Sequence, residues 1–167
     1  MRAYAWIMAL GAEGLREVAE VATVNNNYLV KKLLEISGIT LPFAEGHPRL
    51  EQARFSWKSL KEDTGLGTED VVVRLVDFGV MKYFTSHHPW IVEEAFTPEP
   101  AETVTKADID KFIEILRQIS REAYTDPEMI RKAPHNLTIS RIDPTPMRDP
   151  KKWAMTWRAH LRKEAMS

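Results

Sequence analysis

Chemistry in this sequence has to come from a short stock of side chains. These are the His87-His88 pair, the carboxylates Glu93, Glu94, Glu99 and Glu102, and the group His135, Arg141 and Asp143. Adjacent histidines in a strand point to opposite faces, so they rarely share one ion. Neither has a histidine at i+4, and the chain has no cysteine. The plainer reading is a loop or strand-edge pair that faces a partner. The four glutamates would do acid–base work only at a fixed separation in a shielded cleft. Otherwise they form a solvated acidic rim around the turn at Pro98 and Pro100. Arg141 carries the planar fork that suits a carboxylate or phosphate. Its plainer role is to pin a loop through Asp143 or a backbone group.

Other sources of catalysis are missing. Gly65-Leu66-Gly67 is the nearest approach to a phosphate loop, and a turn before a helix cap explains it better. The lack of cysteine removes disulfides, thiolate nucleophiles and thiolate ligands, and fits a cytoplasmic chain. A net charge of -1 gives no basic field for nucleic acid or an anionic membrane. Tyr4 to Leu10 is too short to span a bilayer and reads as a buried first helix. Residues alone therefore give no catalytic set, no metal site and no cofactor site.

The elements that must hold these side chains follow from periodicity. Leu15, Val18, Ala19, Ala22, Leu29, Leu33 and Ile36 line one face of a helix from Ala12 to about Ser37, stopped by Gly38. Asn26 lies in that stripe and must find a partner. Ile39–Phe43 and Gln52–Trp57 read as strands, the second with one buried face. Thr68 reads as the N-cap of a helix ended by Gly79. Val80–Tyr83, Trp90–Val92 and Ala95–Thr97 read as short strands. Thr105 to Asp108 resembles a capping box opening a helix with Ile109, Phe112, Ile113, Leu116, Ile119 and Ala123 inward. Pro127 opens another helix, and the chain beyond Pro134 is irregular. The pattern predicts an α+β domain over 1–150, with a mixed or antiparallel sheet and helices on one face. A tail over 151–167 is expected to be helical and to present Trp153 and Trp157.

Several short stretches, in order, resemble the C-terminal part of glycine dehydrogenase (decarboxylating) subunit 2, the P-protein family of the glycine cleavage system. These include Asn25, Asn27, Tyr28 and Leu29 for N-x-N-Y-L, and Arg74 to Gly79 for R-L-x-D-Y-G. Glu99-Pro100-Ala101-Glu102 stands for E-P-T-E, Glu122-Ala123 lies in the following helix, and Ala133-Pro134-His135 and Arg141-Ile142-Asp143 match A-P-H and R-L-D. The resemblance runs collinearly from Arg2 to about Lys152. It implies the small C-terminal domain of an aminotransferase-like, fold type I enzyme. It implies that the parent family uses pyridoxal phosphate (PLP) to decarboxylate glycine and hands the aminomethyl group to a lipoyl carrier protein.

On that resemblance the cofactor lysine belongs to a large domain upstream, so this chain alone binds no PLP covalently and is inactive alone. The expected partner is that large PLP-binding domain or subunit. Glu99, Glu102, His135 and Arg141 are expected to approach the substrate cleft as positioning groups. Departures at Glu51-Gln52, Val80–Thr85 and Ala101 fall in stretches expected near that cleft. The alternative is a stand-alone, non-catalytic binding or regulatory module that dimerises, with the Trp153–Trp157 tail as a contact. A metal hydrolase built on His87, His88 and the glutamates is set aside.

Overall fold

The computed structural model describes residues 1–43, 46–50, 52–81, 85, 91–143, 145, 149 and 156–165, without the side chain at 163. The expectations for His87-His88, Glu51, Tyr83, Trp90 and Trp153 lie outside that set.

Helix α1 runs Arg2–Leu33, ending short of Ser37. Gly11 interrupts it at φ 63°, ψ -172°, a conformation that glycine alone adopts cheaply. The expected apolar stripe becomes core only near its end, where Asn26, Leu29 and Leu33 are buried. The first turns correct the expectation of a buried Tyr4–Leu10 helix: Tyr4, Trp6, Ile7 and Met8 are exposed. The Gly11 break separates them from the core-facing part. Asn26 is fully buried, and neither atom of its amide finds a partner among the described residues.

The sheet is smaller than the sequence predicts. Strands β1 (Phe55–Ser56) and β2 (Ala95–Phe96) pair antiparallel, with single bridges Thr40↔Ser56 and Thr85↔Phe96 on either side. Both β1 residues are buried, so the expected one-sided alternation fails there. The Phe55 and Trp57 rings stack on Phe96 at 5.3 and 5.5 Å between centroids. On the other face, the Ser56 hydroxyl donates to the Glu93 carbonyl at 2.6 Å. Helix α2 (Lys58–Thr64) follows immediately, and this cuts the ladder short. The sequence reading had no helix there.

Helix α3 spans Thr68–Val76 with Gly67, not Thr68, as its N-cap. Glu94 explains the difference. Its carboxylate accepts from Thr68 N–H at 2.7 Å, its carbonyl accepts from the Thr68 hydroxyl at 2.7 Å, and it also holds Lys61. An anion supplied from elsewhere thus joins the local Asp70 carboxylate, which accepts from the Gly67 N–H at 2.9 Å, at the positive helix end. Helix α4 (Lys106–Thr125) keeps the predicted Thr105–Asp108 capping box and buries Ile109, Ile113, Leu116, Ile119 and Ala123. Helix α5 (Pro127–Arg131) packs on α3 and α4, and the tail forms α6 (Trp157–Glu164). The result is a helix-rich domain around a minimal antiparallel sheet.

Gly38 joins α1 to this core at φ +83°, where an added Cβ would lie 2.8 Å from the Leu60 Cβ. Gly38→Ala is therefore expected to cost about 2 kcal/mol, from backbone strain and core overlap together, read by urea unfolding. Asn26→Leu is expected to stabilise by about 1 kcal/mol, because it removes a buried amide that has no partner among the described residues. A loss of stability would mean that the amide is satisfied.

Candidate functional site

An apolar cavity forms where β2 runs out. Pro98 and Pro100 cannot extend a ladder, so the chain leaves the sheet and returns at Thr105 to start α4. The space between has a volume of about 620 Å³. Its walls are Leu29 from α1, Phe96 from β2, Val104 from the loop, and Ile109 and Phe112 from α4. Asn25 holds the loop in place, its side-chain N–H donating to the carbonyls of Ala101 and Val104, each at 3.0 Å.

Three polar side chains mark this apolar bowl. Thr97 is buried, and its hydroxyl has no partner among the described residues. Glu99 is exposed at the rim. Asp108 is already engaged, because the Thr105 hydroxyl and N–H donate to it at 2.6 and 3.2 Å. Those bonds hold its carboxyl below the ordinary carboxylate value. Neither Thr97 nor the pocket itself was foreseen in the sequence. A threonine directly before a Pro-x-Pro turn was the available signal.

The four expected cleft residues do not converge. Glu99 lines the pocket, and Glu102 follows in the same loop without lining it. His135 sits beyond α5, with Nε2 2.7 Å from the Met129 carbonyl. Arg141 pairs with Asp70 of α3 at 2.5 Å, so it pins its loop to a helix. The other glutamates serve separate partners, Glu93 with Lys58 and Glu94 at the head of α3. Among the described residues no group of three His, Asp or Glu could hold a metal ion.

A second polar centre is built more tightly. Arg74 of α3 makes a two-point contact with Glu122 of α4, Nε to Oε2 at 2.8 Å and Nη2 to Oε1 at 3.0 Å. Its Nη1 donates to Asp77 at 2.8 Å. Asp77 in turn accepts from the backbone N–H groups of His135 at 2.6 Å and Asn136 at 2.8 Å. Burial pushes the Asp77 carboxyl up, but those N–H groups and Arg74 outweigh it and hold the group below its ordinary value. At Glu122, Arg74 and Gln118 likewise overcome burial and lower it.

Residues 18–138 match the family model described as glycine dehydrogenase, C-terminal domain. The chain belongs to this family. Proteins described as probable glycine dehydrogenase (decarboxylating) subunit 2 are similar along almost its whole length. That of Pyrococcus abyssi is 42% identical over 160 residues, covering 96% of this chain and 31% of that protein. That of Aeropyrum pernix is 39% identical over 159 residues, covering 95% and 30%. The chain thus spans about a third of the length of the relatives it matches. A crystal structure of the glycine decarboxylase (P-protein) of the glycine cleavage system, in inhibitor-bound form, shares the fold at a TM-score of 0.56. It is 22% identical and covers 68% of this chain and 24% of that one.

Within the family's domain, the stretches that carried the resemblance turn out to be clasps. Asn25 fixes the loop at 101–104, and Asn27 exchanges bonds with the Arg49 backbone, donating to its carbonyl at 2.7 Å and accepting from its N–H at 2.9 Å. The Tyr28 hydroxyl donates to Asp110 at 2.5 Å. The cofactor of the parent family does not suit this donor set. The pocket's described walls carry no lysine or arginine for a phosphate or an aldehyde, and their two charged groups are carboxylates.

Removing the guanidinium leaves two shielded carboxylates unpaired. Arg74→Met is expected to cost about 3 kcal/mol in urea unfolding. The pH dependence has a definite sign. Both carboxyls are lowered in the folded state, so their stabilisation is complete above their unfolded values near pH ~4 and is lost as pH falls through the folded ones. Thermal melts should therefore drop steeply in acid for the natural chain and less steeply for Arg74→Met.

Proposed function

We propose that this chain serves as the C-terminal domain of a glycine-decarboxylating enzyme. The large PLP-binding domain or subunit that carries the chemistry lies outside these 167 residues. One observation carries the reading. The relatives match 96% of the chain but only 31% of their own length, and the matched part is the family's C-terminal domain. Residues 1–150 form the aminotransferase-like, fold type I small domain, and 151–167 a tail. In the assembled enzyme, PLP held by the other part supplies the electron sink for loss of carbon dioxide. This domain closes one side of the cleft, excludes water with its apolar wall and sets the local field. Glu99 and Glu102 are the groups on the cleft side. His135 and Arg141 approach the cleft separately, from the chain beyond α5, as positioning groups. The aminomethyl product then passes to a lipoyl carrier protein, as the family resemblance implies.

A specific observation also favours the second reading, a stand-alone module that pairs with itself. Trp157 is 72% exposed, unusual for so large an apolar side chain. Among the described residues no helix is long and apolar enough to cross a membrane.

A chimera tests the first reading. The region of the Pyrococcus abyssi protein that aligns with this chain is replaced by the chain, and glycine-dependent exchange of labelled carbon dioxide is measured. The reading predicts activity within about ten-fold of the unmodified relative, or 1.4 kcal/mol in the barrier. It also predicts a further fall on Glu99→Gln. A chimera that folds and retains PLP yet exchanges no carbon dioxide would contradict it.

A further inference from the structure

The first turns of α1 are apolar on every face. Tyr4, Ile7 and Met8 share one side of the helix at i, i+3 and i+4, and Trp6 with Leu10 lines another. Arg2 is the one charged side chain before Glu13. Yet Tyr4 is 67% exposed, Trp6 47%, Ile7 45% and Met8 64%. A helix that is hydrophobic all round is normally a buried one. Among the described residues nothing covers this one, and the first buried residue of α1 is Asn26.

Gly11 sets residues 2–10 apart as an arm. At φ 63°, ψ -172° it breaks the helix, and an added Cβ there would meet nothing within 4 Å. Close packing therefore does not explain the glycine, whose effect is to re-aim the arm. The family model begins at Val18, so the arm lies ahead of the matched domain. That domain is the C-terminal one of its family, and the Pyrococcus abyssi relative is covered over only 31% of its length. The bulk of what the relatives carry in addition therefore lies on the arm's side of the chain. A lipid surface suits the arm poorly, because helices that lie in one carry a basic polar face and this arm has a single arginine.

We infer that residues 2–10 dock on the part of the glycine-decarboxylating enzyme that precedes this domain, with Tyr4, Trp6, Ile7 and Met8 seated against an apolar surface of it. The inference rests on the decarboxylase reading for the identity of that partner. Where the two parts share one chain, the linkage supplies a high effective concentration, so a short helix suffices as the anchor. Gly11 aims the arm, and a straight helix through that position would carry its apolar side chains elsewhere.

Amide hydrogen exchange is the test, on the 167-residue chain and on the Pyrococcus abyssi chimera that carries it. In the isolated chain residues 2–10 should exchange fast, because so short a helix without tertiary packing is marginal. In the chimera they should exchange about 100-fold more slowly, as a packed element does. Tyr4→Glu with Met8→Glu should abolish that protection. The same pair should leave the thermal melt of the isolated chain unchanged, because both side chains lie outside its core. Should the whole-chain chimera misfold, residues 1–17 alone, grafted into the natural relative ahead of the position aligned with Val18, carry the same measurement. Three results would overturn the inference: fast exchange of residues 2–10 in the folded chimera or graft, protection that survives the double substitution, or protection in the isolated chain that grows with concentration. The last would make the occupant a second copy. Carbon dioxide exchange is read separately. An active chimera with an unprotected arm keeps the decarboxylase reading and removes this one, and a protected arm in an inactive chimera does the reverse.

Discussion

The domain depends most on one guanidinium shared between two shielded carboxylates. Arg74 reaches Glu122 on α4 and Asp77 at the end of its own helix. A shielded ion pair contributes little unless its remaining hydrogen-bonding positions are filled. Here they are. Gln118 donates to Glu122, and the backbone of His135 and Asn136 donates to Asp77. The network therefore does more than join two helices. It fixes where the chain goes after α5, which no apolar packing would specify as sharply.

Loop placement by side-chain clasps recurs at the other end of the molecule. Asn25, Asn27 and Tyr28 are consecutive or nearly so on α1, yet each reaches a different segment. Together they set the loop that forms one wall of the pocket and the turn at Arg49. The family's short motifs thus record the geometry of a scaffold more than a set of reacting groups. That agrees with a domain whose pocket offers carboxylates and rings but no cationic donors among its described walls.

The sequence disclosed the parts of this fold that depend on local chemistry. The Thr105–Asp108 box, the inward stripe of α4 and the proline that opens α5 all follow from side chains acting on their own neighbourhood. What it hid depends on distant groups. Thr68 reads as a cap until Glu94, 26 residues away, takes up its N–H. The apolar run Tyr4–Leu10 reads as buried because periodicity reports amphipathicity, not the presence of something to cover it. Two adjacent buried residues at Phe55–Ser56 break strand alternation because a side-chain bond satisfies the serine. At the site, the proline turn and Glu99 were legible. Their enclosure with Leu29 and Phe112 was not, since it arises from three separate elements.

On the proposed reading, this chain assists chemistry housed elsewhere and holds no aldehyde cofactor of its own. The most direct test of that reading is borohydride trapping. The purified chain, with no companion protein, is incubated with excess PLP, reduced, digested and mapped by mass spectrometry. The account predicts only scattered, substoichiometric labelling of exposed lysines. Stoichiometric reduction at one particular lysine would contradict it.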